Sequence, residues 1–190
     1  DIVFTLTDYM RKSLIKNFGR KSITHYIGIN KLDGWFDKEI IDLSSLSDDA
    51  FLFTFVGNIA PYKNINQIIE NFKMINNDNT YLLIAGPMAK NVDISLNLSS
   101  NIIRFDKFIG EKSWQKICEK TNVFINLYDL DYPNFKYGFF PSNSVTLSQK
   151  GIKVITPKCE IIDELLSQNM MINFDFGDNN DLLNKMKWAI

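Results

Sequence analysis

Histidine and cysteine are scarce in this sequence of 190 residues, which contains one histidine and two cysteines. Cys118 and Cys159 lie far apart and form no CxxC pair, so they indicate neither a disulfide framework nor a metal site. His25 is the lone histidine, and we interpret it as structural rather than catalytic. The sequence therefore predicts no bound metal.

Long apolar runs and a strong net charge are also missing. No run approaches the roughly 18 residues that a membrane-spanning helix needs, and the first residues lack the features of a signal peptide. The net charge of -1 argues against a nucleic-acid partner. These properties predict a cytoplasmic protein. The sequence starts at Asp1 and stops within a helical pattern, so we expect both ends to lie inside a longer protein.

Short apolar runs alternate with amphipathic stretches from about residue 50 onward. Such strands, apolar on both faces and separated by helices, are typical of a parallel sheet covered on both sides. The sequence predicts an α/β fold with a Rossmann-like, doubly wound parallel sheet in residues 46–190. The expected strands are 51–56, 81–85, 102–105, 123–127, 152–155 and 170–174, and the expected helices follow Asn64 and cover 112–119, 142–150, 160–166 and the C-terminal end.

The first 45 residues are predicted to be a remnant of the junction with another, acceptor-binding domain, formed by a helix, a strand and a linker. Residues 6–18 carry apolar side chains at helical spacing and end at Gly19, which is typical of a helix with a glycine cap. A strand is expected over 23–27, and the Ser- and Asp-rich stretch 42–49 is expected to be the linker.

One glycine turn suggests an anion site. The chain passes from the strand ending at Val56 through Gly57 to a helix that begins near Asn64. Gly57 permits a close backbone approach, Asn64 suits an N-cap, and the helix N-terminus offers free N–H groups to an anion. Lys63 would add a positive charge there. The alternative is an ordinary strand-to-helix turn with a solvated lysine.

The same stretch resembles the donor domain of the retaining GT-B glycosyltransferases, in particular family 4 (group 1). Members of that group carry a phenylalanine–any–glycine–arginine turn, followed by lysine-glycine or lysine-asparagine. Here Phe55, Gly57 and Asn58 occupy the turn, and Lys63 and Asn64 follow it. Further resemblances follow in the family's order along nearly the whole chain, at residues 1–10, 27–30, 82–86, 103–109, 121–126 and 151–155. The resemblance implies the C-terminal half of a GT-B fold.

The resemblance also implies site residues. Lys63 would act catalytically by stabilising the departing diphosphate, and Phe108 and Ile109 would meet the base through backbone groups. The start of the helix at Ser142 would offer N–H and O–H donors to a phosphate, although Ser142 and Asn143 could equally just cap that helix. The full donor-binding set is Gly57, Asn58, Lys63, Phe108, Ile109, Gly138, Phe139, Ser142, Asn143, Ser144 and Thr146.

Three departures from the family pattern limit what can be carried over. Asn58 stands where the family has an arginine, and Gly138 and Thr146 stand where it has a pair of glutamates that face the sugar and the ribose. We interpret this as retained diphosphate binding with altered sugar recognition. The alternative is a degenerate, non-catalytic subunit that binds a partner. A sugar-nucleotide epimerase or a phosphorylase of the same fold is a further alternative.

The function implied is transfer of a hexose from a UDP- or GDP-type nucleotide sugar to an unknown acceptor, with retention and without a cofactor. An N-terminal acceptor domain of the same protein would be the partner, so this piece alone should be inactive. The frequent Asn, Ile and Lys suggest an AT-rich bacterial genome, hence polysaccharide or glycolipid synthesis, with the parent enzyme cytoplasmic or peripheral at the inner face of the membrane.

The interpretation as a donor site depends less on several other polar and aromatic residues. Glu160, Asp163 and Glu164 are expected to favour the start of their own helix. Asp129 and Asp131 follow a strand end but have no third ligand spaced for a metal. An aromatic cluster, expected to pack against the missing domain rather than stack on a ligand, comprises Phe135, Tyr137, Phe139 and Phe140.

Overall fold

The structure is a computed structural model that describes residues 3–20, 22–24, 39–90, 92–94, 99–132 and 141–190. The strands are β1 (Val3–Thr5), β2 (Ser22–Thr24), β3 (Phe51–Val56), β4 (Thr80–Ala85), β5 (Ile102–Phe105), β6 (Val123–Ile125), β7 (Lys153–Pro157) and β8 (Met171–Phe174). The helices are α1 (Asp8–Phe18), α2 (Ile65–Lys73), α3 (Glu111–Lys120), α4 (Ser142–Gln149), α5 (Glu160–Leu165) and α6 (Asn179–Ala189), with short 3₁₀ turns at Pro61–Lys63 and Gln168–Met170.

Six parallel strands form the main sheet in the order β5-β4-β3-β6-β7-β8. The chain enters at β3, continues outward to β4 and β5, and then returns to place β6, β7 and β8 on the other side of β3. This order is that of a doubly wound Rossmann-like sheet, so the predicted fold is confirmed. The order reverses between β3 and β6, and a ligand crevice is expected beyond the carboxyl ends of these strands.

Apolar side chains cover both faces of this sheet, which explains why its strands are continuous apolar runs. On one face, Phe72 of α2 and Met186 of α6 are buried in the core. On the other face, Ile117 of α3 and Leu147 of α4 are buried in a second cluster. The strands at 51–56 and 102–105 have their predicted bounds, and the other predicted elements of the sheet domain differ only at their ends.

The stretch predicted as a linker packs against the sheet domain. Leu43 and Leu46 are buried in the second cluster. The backbone N–H of Ile41, also buried there, donates to the Ser113 hydroxyl of α3 at 3.1 Å. The domain boundary between residues 45 and 46 stays a prediction.

The N-terminal piece consists of α1 and the parallel pair β1 and β2. The helix starts later than predicted because Thr7 is extended and its side chain accepts a hydrogen bond from the N–H of Met10. Gly19 ends the helix in the left-handed region, with φ 62°, as predicted. Of the strand expected at 23–27, residues 25–27 lie outside the described residues, as does His25.

Glu164 joins this piece to the sheet domain. The sequence assigned it to the start of its own helix, but that prediction is wrong because Glu164 lies in the last turn of α5. Its carboxylate instead accepts the backbone N–H groups of Asp8 at 2.6 Å and Tyr9 at 2.9 Å. The acidic side chain of a residue in α5 thus satisfies free N–H groups at the start of another helix, α1.

Candidate functional site

Two glycine turns meet at the carboxyl ends of β3 and β4. Gly57 and Gly86 have φ angles of 142° and 139°, which side-chain-bearing residues rarely adopt. A Cβ on Gly86 would lie 2.1 Å from the carbonyl oxygen of Gly57. The turns are also joined by hydrogen bonds, including one of 2.9 Å from the N–H of Ile59 to the carbonyl of Pro87. The close approach therefore requires glycine at position 86.

The start of α4 is tied to the same place. The Asn143 amide donates to the Val56 carbonyl at 2.8 Å, and a Cβ on Gly57 would lie 3.4 Å from that amide nitrogen. Asn143 therefore supports the end of β3 with its side chain. The sequence indicated a cap or a phosphate donor at this position and gave no sign of this bond.

A cleft of about 270 Å³ lies between these turns, the start of α3 and the start of α4. We call it the Gly57 cleft. Seven of the predicted donor-binding residues line it, namely Gly57, Asn58, Phe108, Ile109, Ser142, Asn143 and Thr146. Six further lining residues were not predicted as site residues, namely Val56, Gly86, Pro87, Gly110, Glu111 and Trp114. The predicted site thus consists largely of residues that the fold brings together.

Aromatic side chains form part of the cleft lining. Phe108 is half exposed, at 51%, and Trp114 of α3 is half-buried. An exposed phenylalanine beside a tryptophan and small backbone turns suits a flat ring system such as a nucleobase. Trp114 could have been predicted, because it lies one helical turn after Gly110, the N-cap of α3. Glu111 is the one carboxylate among the described residues that line the cleft.

The predicted cap at Asn64 does not form. A 3₁₀ turn at Pro61–Lys63 precedes α2, and Asn64 adopts a left-handed conformation with φ 47° and no side-chain cap bond. Asparagine is one of the few residue types that tolerate this conformation. Asn64 therefore lies at the predicted position and serves the backbone turn instead of capping the helix.

Lys63 lies outside the described lining of the Gly57 cleft. Its Nζ atom is 3.6 Å from the centre of the Tyr128 ring and 5.5 Å from that of Tyr62. Burial lowers the pKa of Lys63 to about 7. The negative ring faces attract the charged form and act in the opposite direction.

The aromatic surroundings of Lys63 are held together by further contacts. Tyr62 stacks on Tyr132 with ring centres 4.7 Å apart, and its carbonyl accepts the N–H of Asp129 at 2.9 Å. Burial raises the pKa of Tyr128, so its phenol stays protonated. The loop after β6 thus covers the 3₁₀ turn that carries Lys63, a contact that the sequence did not indicate.

Of the remaining predicted residues, Ser144 points into the protein. It is fully buried, and its hydroxyl accepts a hydrogen bond of 2.5 Å from the Asn126 amide. Thr146 lines the cleft while its hydroxyl donates to the Ser142 carbonyl at 2.9 Å. Gly138 and Phe139 lie outside the described residues, together with the rest of the predicted aromatic cluster.

Neither a metal site nor a membrane span is found in the described part of the chain. No group of three His, Cys, Asp or Glu side chains there could hold a metal ion. Asp129 instead accepts the N–H of Asp131 at 2.9 Å, which is a local turn contact. Among the described helices, none has both the length and the apolar character needed to cross a bilayer.

Residues 37–125 match the family model of the glycosyl transferases, group 1. The predicted resemblance to group 1 glycosyltransferases is confirmed. The matched region runs from before β3 to the end of β6, and it includes Gly57, Asn58, Lys63, Phe108 and Ile109. No curated protein matches the chain significantly in sequence.

Solved GT-B glycosyltransferases share the fold at low sequence identity. WaaG, a glycosyltransferase involved in lipopolysaccharide biosynthesis, is 14% identical with a TM-score of 0.72, over 98% of this chain and 52% of that one. Anabaena Alr3699/HepE in complex with UDP-glucose is 13% identical with a TM-score of 0.74, over 99% of this chain and 53% of that one. A Rickettsia africae glycosyltransferase is 13% identical with a TM-score of 0.72, over 100% of this chain and 53% of that one. The chain thus spans about half the length of these structures.

Proposed function

We propose that this chain binds a nucleotide-diphosphate sugar of the UDP or GDP type and forms the donor half of a retaining hexosyltransferase. The observation that carries the proposal is the Gly57 cleft, where the loops after β3, β4 and β5 meet the starts of α3 and α4 at the point of strand-order reversal. An N-terminal domain of the same protein would supply the acceptor site. The chain alone would then bind the donor but transfer no sugar.

The base would bind between the aromatic side chains of the cleft. Phe108 and Trp114 offer ring faces, and the backbone at Ile109 offers hydrogen-bonding groups to the base edge. The bound UDP-glucose in the HepE structure supports a donor of this class. Thr146 stands at the position of the family's ribose-binding glutamate and would offer a hydroxyl in its place.

The diphosphate would extend from the cleft towards Lys63. The N–H groups around Gly57 and at the start of α4 are suited to phosphate oxygens, and Lys63 would leave the Tyr128 ring to pair with the developing charge. In the transfer, the acceptor oxygen bonds to the anomeric carbon while the bond from that carbon to the diphosphate oxygen breaks. The diphosphate takes up the acceptor's hydroxyl proton. No metal or cofactor is required in this scheme.

A thermal-shift screen against UDP, GDP, ADP, CMP and their sugar conjugates tests the proposal. Stabilisation follows RT ln(1 + [L]/Kd), so a ligand at a hundred times its Kd should add about 2.7 kcal/mol. We expect a shift with one nucleoside diphosphate, and a much smaller shift in Trp114→Ala. Absence of any shift at millimolar ligand would contradict donor binding.

A non-catalytic subunit is the second candidate, because Thr146 brings no carboxylate to the cleft. Measurement of sugar transfer distinguishes the enzyme from the non-catalytic subunit. Sugar transfer by the full-length protein supports the enzyme, whereas no transfer with any donor and co-purification with an active transferase supports the subunit. We further propose that the enzyme acts at the cytoplasmic side of a bacterial membrane, in polysaccharide or glycolipid synthesis. The fold shared with WaaG supports this role.

A further inference from the structure

A second and larger cavity lies between α1 and the loops that follow β6 and β7. It has a volume of about 620 Å³. We call it the α1 groove. It is lined by Tyr9, Lys12, Ser13, Lys16 and Asn17 on one side and by Leu130, Cys159, Glu160 and Ile161 on the other. None of these described residues lines the Gly57 cleft, so the two cavities are separate sites.

The side of the groove formed by α1 is a polar stripe. Its five residues recur at the three- and four-residue spacing of one helix face. This face lines the groove while Lys12, Lys16 and Asn17 stay exposed to solvent, so a ligand in the groove can reach them. The Glu164 carboxylate fixes the first turn of α1 against α5, so the stripe is held in position opposite the loop before α5.

The two lysines of the stripe differ in whether a carboxylate pairs with them. Lys12 lies 3.1 Å from Asp8, which also pairs with Arg11. The hydrogen bond from Arg11 is the largest cause that lowers the pKa of Asp8 to about 2, so this carboxylate stays ionised. Lys16 is exposed and has no ion pair with any described residue. The positive charge of the groove is therefore concentrated at Lys16.

Polar groups suited to hydroxyls surround this charge. The amide of Asn17 donates to the Ser13 hydroxyl at 3.1 Å, which leaves its carbonyl oxygen as an acceptor. Glu160 lines the opposite wall and is exposed. A carboxylate and an amide oxygen accept hydrogen bonds from sugar hydroxyls, while an ammonium group binds a phosphate.

We propose that the α1 groove binds a phosphorylated saccharide, with its phosphate on Lys16 and Lys12 and its hydroxyls on Asn17 and Glu160. This binding goes beyond the proposed function and does not depend on it. A phosphate of this kind could belong to a soluble sugar phosphate or to a lipid headgroup. The concave shape and the hydroxyl-binding groups favour the saccharide.

The test is a titration of the chain with mannose 6-phosphate, followed by amide NMR, with mannose as the uncharged comparison. We expect shifts at α1 and at residues 159–161, and weaker binding of mannose. Lys16→Ala should weaken mannose 6-phosphate binding about tenfold, as expected for loss of a charged contact, and Lys12→Ala should weaken it less. Lys187→Ala, an exposed lysine in the last turn of α6, is the matched control and should change nothing.

Three outcomes would overturn the inference: no binding of mannose 6-phosphate, whether or not phosphatidylglycerol vesicles bind; shifts confined to the Gly57 cleft; or equal weakening by Lys187→Ala. A parallel titration with UDP and GDP separates this inference from the proposed function. Nucleotide binding without mannose 6-phosphate binding removes the groove proposal only. Mannose 6-phosphate binding without nucleotide binding removes the donor function and leaves the groove as a binding site.

Discussion

The Gly57 cleft lies between backbone turns and a helix start that are joined by hydrogen bonds, whereas the α1 groove is bounded mainly by the side chains of one helix. In the cleft, the conformation of Gly57 and Gly86 and the bond from Asn143 determine the shape. In the groove, Lys16 is exposed and has no ion pair with any described residue. We therefore expect the cleft to be sensitive to an added methyl group and the groove to be sensitive to a lost charge.

The largest expected effect is that of Gly86→Ala. The added Cβ would lie 2.1 Å from the Gly57 carbonyl oxygen, at a backbone φ of 139°. We expect a loss of about 3 kcal/mol or more in the free energy of unfolding and no nucleotide binding. Unfolding by denaturant measures the change in the free energy of unfolding. Gly151→Ala is the control, because Gly151 also has a positive φ, 83°, but has nothing within 4 Å of an added Cβ. A loss of only about 1 kcal/mol in both variants would contradict the close packing of the two turns.

Removal of the Glu164 carboxylate should affect the groove and leave the cleft intact. Glu164→Ala leaves the N–H groups of Asp8 and Tyr9 without their acceptor. We expect a loss of about 1–2 kcal/mol in stability, faster hydrogen exchange in α1, and weaker mannose 6-phosphate binding. Nucleotide affinity should stay unchanged. If hydrogen exchange in α1 did not increase, Glu164 would not be what holds the helix in place.

Removal of the Asn143 amide should have the opposite selectivity. Asn143→Ala breaks the bond to the Val56 carbonyl and should lower stability by about 1 kcal/mol. Nucleotide binding should weaken because α4 is no longer tied to the end of β3. Binding of mannose 6-phosphate at the α1 groove should not change, and calorimetry with both ligands tests this. Equal weakening of both ligands would show that the two sites are coupled.

A separate prediction concerns the pH dependence that Lys63 gives the protein. Burial lowers its pKa from 10.5 to about 7, so between these values the folded protein binds fewer protons at Lys63 than the unfolded chain does. Stability should therefore rise with pH from about 7 to about 10.5, with no further contribution from Lys63 below or above that range. Affinity for a diphosphate should fall as pH rises above 7, because the neutral amine no longer attracts it. Lys63→Met should lack both pH dependences, and identical pH profiles in the two proteins would contradict the assignment.

The sequence predicted the sheet and much of the cleft because both depend on local patterns. The apolar run at Phe51–Val56 fills a central strand, and the turn residues after parallel strands meet at one edge of the sheet. Contacts between distant side chains could not be predicted. Glu164 and Asp8 are 156 positions apart, and nothing in either neighbourhood indicates that the carboxylate caps α1.

Lys63 is the clearest case of this limit. Its position in the turn and the family resemblance both assign it to the diphosphate. The ring of Tyr128, 3.6 Å away in the folded protein, comes from the loop after another strand. The aromatic surroundings therefore appear only in three dimensions, and they turn the expected solvated cation into a half-buried amine packed on an aromatic ring.

The donor-binding site is tested by titration calorimetry of the nucleoside diphosphate and of the nucleoside alone, in the wild type and in Lys63→Ala. We expect equal nucleoside affinity in both proteins, since the base is proposed to bind in the Gly57 cleft away from Lys63. Lys63→Ala should weaken nucleoside diphosphate binding about tenfold, as expected for loss of one charged contact. Unchanged diphosphate affinity in Lys63→Ala would contradict the donor-binding site described for this chain.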